Sequence, residues 1–277
     1  GSRLATCSTS EPDEIREFSA DGKFLLLRHG GKMSVWNAVE GRCVLTNDAS
    51  ESFRRFNGAA FSPDGRKLGR GEAGGRFAIY DLAADPPARE REWALPESFM
   101  VGTVAWSADG GRVALVLNNR TLLVCDAATG ATHWRRDFDL QIWNVTWNNA
   151  RDWLLLQTGD EHVLVLDAQG RDVRKLLALT EGSSTALFSP DGGRLVTACL
   201  GIGTRWFDAG LGQQRLTDET AAWHLHFDAS GTQLGTFLDE GRLLWVEWSA
   251  SSVLAEQATP GSPPLYQRLS FSPDGRW

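Results

Sequence analysis

Polar turns separate short apolar runs along the whole chain, and the runs are too short for helices of ordinary length. Within residues 188–208, an aromatic residue and a Ser-Pro-Asp-Gly turn precede the apolar run 195–200, and a second short run ends in an aromatic-Asp pair. No apolar stripe recurs at helical spacing, whereas two short strands joined by tight turns account for both runs. The pattern therefore predicts an all-β chain.

The same unit recurs at a nearly constant interval. Its first marker is the aromatic residue that precedes each turn, and successive markers lie 43, 45, 41, 41, 39 and 44 residues apart. The markers are Phe18, Phe61, Trp106, Trp147, Phe188, Phe227 and Phe271. A second apolar run ends 18 to 21 residues after each of the first six markers, and Asp follows it in four of those units. A period of about 40–45 residues that holds four short strands is typical of a β-propeller blade.

One unit illustrates the predicted strands, which we place at 59–62, 67–71, 76–80 and 91–95. A single blade cannot bury both of its faces, so neighbouring blades must stack around an axis. Six complete blades are predicted, and residues 3–9 and 266–272 would supply the outer and inner strands of a closing blade. We expect about twenty further residues to complete that blade. The prediction is one domain, residues 1–277: a β-propeller of four-stranded antiparallel blades, seven-bladed with the closing blade incomplete. Six blades with overhanging end strands are the alternative.

The recurring Phe-Ser-Pro-Asp-Gly turn, the aromatic-Asp pair about 19 residues later and small-residue turns such as 126–130 resemble the WD-repeat family. The resemblance covers essentially the whole chain. It implies a propeller with a protein-interaction role, similar to the propellers of bacterial signalling proteins that also carry a kinase or NTPase domain. The chain departs from the family because no Gly-His dipeptide precedes a first strand and Trp-Asp never occurs. The family's hydrogen-bonded tetrad is therefore not expected, and apolar stacking between blades should supply the stability.

Charge and cysteine usage narrow the choice of partner and compartment. The net charge of −7, from 28 basic and 35 acidic residues, argues against nucleic acid or an anionic membrane as the main partner. No apolar run reaches the ~18 residues of a transmembrane helix. The cysteines stand singly, without a Cys-x-x-Cys pair, at Cys7, Cys43, Cys125 and Cys199. We interpret them as buried, reduced residues of a cytoplasmic protein, with a disulfide between neighbouring blades as the alternative.

Three motifs suggest chemistry, and each also has a structural interpretation. The motif at 126–134 resembles the docking motif of quinoprotein propellers, but the same residues can form the turn after a third strand. His224 and His226 have a spacing that some zinc sites use, without a nearby third ligand. The repeated aspartates precede Gly in tight turns, where an Asp side chain bonds its own backbone; they are Asp64, Asp109, Asp191 and Asp274. We therefore predict no catalytic residue, metal ligand or cofactor. A propeller enzyme, either a quinone-dependent oxidoreductase or a lactone hydrolase, is the alternative.

The remaining candidates lie in the loops that precede each first strand, which we call the leading loops. In a WD-type propeller these loops share one face with the loops between second and third strands. The leading loops of this chain, including residues 140–143, are rich in aromatic residues and Arg, which protein-interface hot spots favour. The candidate protein-binding residues are Phe53, Arg54, Arg55, Phe99, Met100, Trp143, Trp223 and Tyr266.

Trp143 and Trp223 each stand four residues ahead of an aromatic marker. The equivalent places in the other units hold polar or small residues, so we expect this position at an exposed rim and not between blades. Two exposed tryptophans beside Arg54 and Arg55 would suit an extended acidic-hydrophobic peptide. The sequence therefore predicts a non-enzymatic interaction scaffold with a protein or peptide partner, as a module of a larger signalling or regulatory protein.

Overall fold

The regular structure of the described residues consists of strands. In a computed structural model, the described residues are 14–29, 32–46, 58–96, 100–148, 150–160, 162–177, 184–199, 203–208, 214–218, 222–227, 231, 233–238, 242–247 and 252–258. Within these ranges the strands form six four-stranded antiparallel sheets, each in chain order. The same ranges contain no helix that is long and apolar enough to cross a membrane.

The chain divides into two compact units, Gly1–Val145 and Thr146–Trp277. The first unit contains three sheets. The first sheet comprises β1 (Glu14–Phe18), β2 (Phe24–His29), β3 (Lys32–Asn37) and β4 (Arg42–Thr46). The second comprises β5 (Ala59–Phe61), β6 (Lys67–Glu72), β7 (Arg76–Asp81) and β8 (Ala88–Ala94). The third comprises β9 (Val101–Trp106), β10 (Arg112–Leu117), β11 (Thr121–Asp126) and β12 (Thr132–Asp137).

The second unit contains the other three sheets, and the boundary between the units falls inside β13. The fourth sheet comprises β13 (Ile142–Asn148), β14 (Trp153–Thr158), β15 (His162–Leu166) and β16 (Asp172–Leu177). The fifth comprises β17 (Ser184–Phe188), β18 (Arg194–Cys199), β19 (Gly203–Asp208) and β20 (Gln214–Asp218). The sixth comprises β21 (Ala222–Phe227), β22 (Gln233–Leu238), β23 (Arg242–Glu247) and β24 (Ser252–Ala258).

These six sheets agree with the six complete blades that the sequence predicts. In the second sheet the first three strands lie at the predicted places, but the fourth begins at Ala88, three residues before the predicted start. The pairing continues to the end of β7, and an irregular register between Ile79 and Tyr80 adds one residue, so that Tyr80 pairs with Arg89 and Asp81 with Ala88. The end strands predicted at 3–9 and 266–272 lie outside the described residues, and a single domain over residues 1–277 stays a prediction.

Apolar side chains fill the space between the second and third sheets. Residues 113–117 of β10 are all buried, because a central strand covered on both faces requires a continuous apolar run. One cluster joins Phe77 and Ile79 of the second sheet to Val104 and Trp106 of the third. In the second unit, a further cluster joins side chains of the fourth sheet to side chains of the fifth. Apolar stacking of neighbouring sheets is therefore present in both units.

The inner strands of the second and third sheets approach too closely for a side chain at Gly58. Its amide donates to the Val101 carbonyl oxygen at 3.0 Å. A Cβ atom at residue 58 would lie 2.9 Å from the backbone carbon and oxygen of Gly102. Real Cβ atoms do not approach backbone atoms so closely, so this contact between the two inner strands requires glycine.

The turn after the aromatic marker is built by a Ser and an Asp. In the third sheet the Ser107 hydroxyl donates to Asp109 Oδ1 at 2.6 Å and accepts the Arg112 amide at 2.9 Å. Asp109 Oδ1 also accepts the Gly111 amide, so the predicted bond of the Asp side chain to its own turn is confirmed. The same arrangement recurs in the first, second and fifth sheets, at Ser19 and Asp21, Ser62 and Asp64, and Ser189 and Asp191.

Two cysteines have described side chains, and neither forms a disulfide bond. Cys125 on β11 is buried, and burial raises the pKa of its thiol to about 11. Cys43 on β4 is partly buried. The predicted burial is confirmed for Cys125 and only in part for Cys43. Cys7 and the side chain of Cys199 lie outside what the structure describes.

Candidate functional site

A tight turn of two asparagines connects β10 to β11 at one end of the third sheet. Asn118 and Asn119 have φ angles of 47° and 59°, in the left-handed region that Asn tolerates better than most residues. The Arg120 amide donates to the Leu117 carbonyl oxygen at 3.0 Å and closes the turn. Asn has a low strand propensity and is common in turns. The Asn-Asn pair between two apolar runs therefore ends β10, and β11 begins after the turn.

This Asn118–Asn119 turn binds the leading loops on both of its sides. The Asn118 side chain accepts the Met100 amide at 3.0 Å, and the Asn118 amide donates to the Met100 carbonyl oxygen at 2.9 Å. On the other side, the Ile142 amide donates to the Asn119 carbonyl oxygen at 2.6 Å. The turn thus fixes the positions where β9 and β13 begin. In this part of the molecule the leading loops and the loop between second and third strands lie together, as the sequence analysis expected.

Trp143, the second residue of β13, has a large apolar side chain that is exposed to solvent. Along β13, Ile142 and Val145 are buried, whereas Trp143 is 59% exposed and Leu140, just before the strand, is 39% exposed. Alternation along a strand directs Trp143 away from the core side occupied by Ile142. The exposure expected for Trp143 is confirmed, and it stands on a strand whose first residue is held by the turn.

Charged side chains of both signs lie at the same end of the sheet. Asp137, the last residue of β12, accepts hydrogen bonds from the Thr121 hydroxyl at 2.5 Å and from Arg135, and these bonds lower the pKa of its carboxyl group. Arg120, in the turn itself, is exposed, and no hydrogen bond or ion pair of its side chain occurs among the described residues. The Arg120 guanidinium is therefore available to an incoming carboxylate.

Of the eight predicted binding residues, two have described side chains. Met100 and Trp143 are brought together by the Asn118–Asn119 turn, and Met100 is partly buried. Trp223 lies on β21, where the backbone alone is described. The other predicted residues lie outside the described residues: Phe53, Arg54, Arg55, Phe99 and Tyr266.

Two details of the sequence analysis require correction. Residues 142 and 143 belong to β13 and not to a loop, and Ile142 is fully buried. The small residue at the position equivalent to Trp143 in the third sheet, Gly102, does not mark an open rim there. A Cβ atom at Gly102 would lie 2.7 Å from Asn119 Oδ1, so close packing against the turn explains the glycine.

Sequence reasoning missed Asn118 and Asn119 as positioning residues. The signal was present, because two consecutive asparagines between apolar runs favour a turn with left-handed backbone. Their hydrogen bonds to residues 100 and 142, however, depend on how the strands are arranged in space.

The motif at 126–134 comprises the end of β11, the turn at 127–131 and the start of β12. Asp126 Oδ1 accepts the Ala128 and Thr129 amides and the Thr129 hydroxyl, and these bonds lower the pKa of the Asp126 carboxyl group. The side chain therefore has the structural role that the sequence analysis set beside the quinoprotein resemblance. Among the residues that the structure describes, no group of three or more His, Cys, Asp or Glu side chains could hold a metal ion.

Comparison with known proteins identifies the class of fold. No protein-family model matches the chain, and no curated protein matches it in sequence. The Cps50 (Swd1) β-propeller domain of Myceliophteria thermophila superposes with a TM-score of 0.68 at 16% identity, over 91% of this chain and 88% of that one. A chain of the mitotic checkpoint complex superposes with a TM-score of 0.74 at 16% identity, over 95% of this chain and 84% of that one. The chain is therefore a β-propeller of four-stranded antiparallel blades, which is the fold that the WD-repeat resemblance implies.

Proposed function

We propose that the protein is a non-enzymatic scaffold that binds a protein or peptide partner at the end of its sheets where Trp143 lies. The exposed Trp143 side chain carries this proposal. Trp offers a large apolar contact area and is among the residues that interface hot spots favour. Because the Asn118–Asn119 turn holds the backbone at the start of β13, the strand that carries Trp143 is in place before the partner arrives.

The partner that suits this surface is an extended peptide with acidic and apolar residues. Trp143 and Leu140 offer exposed apolar area, and Arg120 offers a guanidinium without an intramolecular partner among the described residues. Arg binds carboxylates in bidentate geometry, which gives specificity as well as attraction. We include Arg54, Arg55 and Trp223 in the same proposed binding surface, because the sequence repeat places them in or next to leading loops, as it does Trp143.

The wider setting follows from the resemblance and from the cysteines. We place the protein in the cytoplasm of a bacterial cell, as a module of a larger signalling or regulatory chain with an effector domain. Cys43 and Cys125 are not joined in a disulfide, which supports a reducing compartment. One of the solved structures with the same fold belongs to a complex, which supports a protein partner. No specific observation favours the alternative, a propeller enzyme. The Asp126 carboxylate, which begins the quinoprotein-like motif, is hydrogen-bonded within its own turn.

Substitution of Trp143 tests the proposal. We expect Trp143→Ala to weaken partner binding by more than ~1 kcal/mol while the free energy of unfolding barely changes, because an exposed side chain contributes little to the core. Trp223→Ala should behave in the same way. The measurement is affinity purification from a lysate of the source cell with quantitative mass spectrometry, followed by titration of the recovered partner against each variant.

Val39→Ala is the matched control, because Val39 is a 77% exposed apolar residue in the turn between β3 and β4. The control should recover the same partner as the unmodified protein. Equal recovery by Trp143→Ala would refute the proposed site. A loss of several kcal/mol of stability would assign Trp143 to the core instead.

A further inference from the structure

A cavity of about 340 Å³ lies between the second and third sheets, at the end opposite the Asn118–Asn119 turn. Three turns and one outer strand surround it: the turns after β5, β9 and β11, and the middle of β8. The volume falls within the range of pockets that bind small groups or single side chains. The proposed binding surface at Trp143, Leu140 and Arg120, which we call the Trp143 surface, contributes no residue to the lining of this cavity.

The inner wall of the cavity is apolar and rigid. Ile79, Trp106 and Ala127 line it, and each is at most 7% exposed. The Trp106 indole nitrogen donates to the Ala60 carbonyl oxygen at 3.0 Å, which fixes the orientation of the ring. A group that enters the cavity would therefore meet a preformed apolar surface.

Three aspartates at the cavity each have one unused oxygen. Asp64, Asp109 and Asp126 all accept their turn hydrogen bonds through Oδ1. No hydrogen bond to Oδ2 of these side chains occurs among the described residues. The turn bonds also lower the pKa of all three carboxyl groups, so each is ionised at neutral pH. The turns thus hold three negative charges in fixed orientations.

The basic residues of the lining only partly balance these charges. Lys67 is paired with Glu90, with 2.8 Å between Nζ and Oε2. Arg91 is the remaining basic residue of the lining, while Arg66 and Arg112 outside it interact electrostatically with Asp64 and Asp109. The lining holds four acidic and two basic side chains, and it therefore carries an excess of negative charge beside an apolar wall.

We propose that this cavity is a second docking site, which binds a basic peptide segment of a protein partner with one Arg side chain inside the cavity. A guanidinium has a planar apolar face and several N–H donors at its edge, so it can pack on the inner wall while it donates to more than one carboxylate. The Oδ2 atoms of Asp64, Asp109 and Asp126 are the acceptors. This site is separate from the Trp143 surface and has the opposite charge preference.

Binding of a model peptide tests the site on the full chain. The probe is fluorescein-labelled Gly-Leu-Arg-Ala-Arg-Leu-Gly, and the counter-probe carries Glu in place of each Arg. We expect saturable binding of the basic peptide by fluorescence anisotropy, weakened by added salt, and no binding of the acidic one. The triple variant Asp64→Asn, Asp109→Asn and Asp126→Asn should bind about tenfold more weakly, because Asn retains the turn acceptor and removes the charge.

Two further variants distinguish the cavity from general electrostatic attraction. Asp21→Asn removes the same charge from the equivalent turn of the first sheet, outside the cavity, and should leave the affinity unchanged. Ala108→Trp places a large side chain on an exposed residue of the lining without changing charge, and it should also weaken binding. The proposal is overturned if the basic peptide does not bind, if the triple variant binds as tightly as the parent, or if Asp21→Asn weakens binding equally. If Trp143→Ala also lost binding of the basic peptide, the cavity would not be a site separate from the Trp143 surface.

Discussion

At the scale of single residues, the turn after each aromatic marker depends on a buried serine. Ser107 is 2% exposed and links the Asp109 carboxylate to the Arg112 amide. The repeat uses the same residue type at Ser19, Ser62 and Ser189. In the fourth sheet Asn148 replaces it and accepts the Ala150 and Arg151 amides instead. The position therefore requires a short polar side chain that can bond the backbone of its own turn.

Replacement of this serine should destabilise the fold. We expect Ser107→Ala to lower the free energy of unfolding by about 2 kcal/mol, because the partly buried Arg112 amide loses its acceptor, the Ser107 hydroxyl. Chemical denaturation monitored by circular dichroism gives this difference. Thr129→Ala is the control, because the Thr129 hydroxyl also donates to an Asp in a turn but is exposed. This variant should lose less free energy of unfolding than Ser107→Ala. An equal loss of free energy of unfolding in Ser107→Ala and Thr129→Ala would contradict the role of burial.

The effect of Ser107→Ala should also depend on pH. Its hydrogen bond is the largest cause that lowers the pKa of Asp109 below the ordinary value of 3.8. A carboxyl group with a lowered pKa in the folded state stabilises the fold above its unfolded pKa, and this contribution is lost as the pH falls through the folded pKa. The difference in free energy of unfolding between the unmodified protein and Ser107→Ala should therefore shrink below about pH 4.

At the scale of the element, the contact between inner strands sets a limit on side-chain size. We expect Gly58→Ala to destabilise the protein by about 1–3 kcal/mol, because its Cβ atom would lie 2.9 Å from the Gly102 backbone and a backbone cannot move aside as a side chain can. Thermal unfolding measures the loss. Gly111→Ala is the control, since its nearest contact is the Asp109 carboxylate at 3.3 Å. Identical melting temperatures for Gly58→Ala and the parent would show that the strands can separate at little cost.

At the scale of the whole molecule, the tandem repeat predicts one cooperative domain over residues 1–277. A ring of blades shares its apolar core between neighbours, so the blades should unfold together. We expect a single calorimetric transition whose calorimetric and van't Hoff enthalpies agree, and Gly58→Ala should lower its temperature without splitting it. Two separate transitions, of which the variant shifts one, would instead assign independent stability to the units Gly1–Val145 and Thr146–Trp277.

The sequence by itself determined the architecture. The recurrence of Phe61, Trp106 and Phe188 ahead of polar turns located the sheets, and short apolar runs located the first three strands of the unit that begins at residue 59, because both signals act over a few residues. Turn chemistry at Asp64 and Asp109 was predictable for the same reason: an Asp side chain reaches its own backbone two residues on.

The tertiary structure alone decided how the two proposed binding sites are built. The hydrogen bonds that link Met100 and Ile142 to the Asn118–Asn119 turn, and the cavity at Trp106, join parts of the chain that are separated in sequence. The pattern of apolar and polar residues specifies which side chains leave water, but it does not specify which strand they meet. That choice depends on packing between sheets, where residues about one repeat apart come into contact, as Trp106 and Ala60 do.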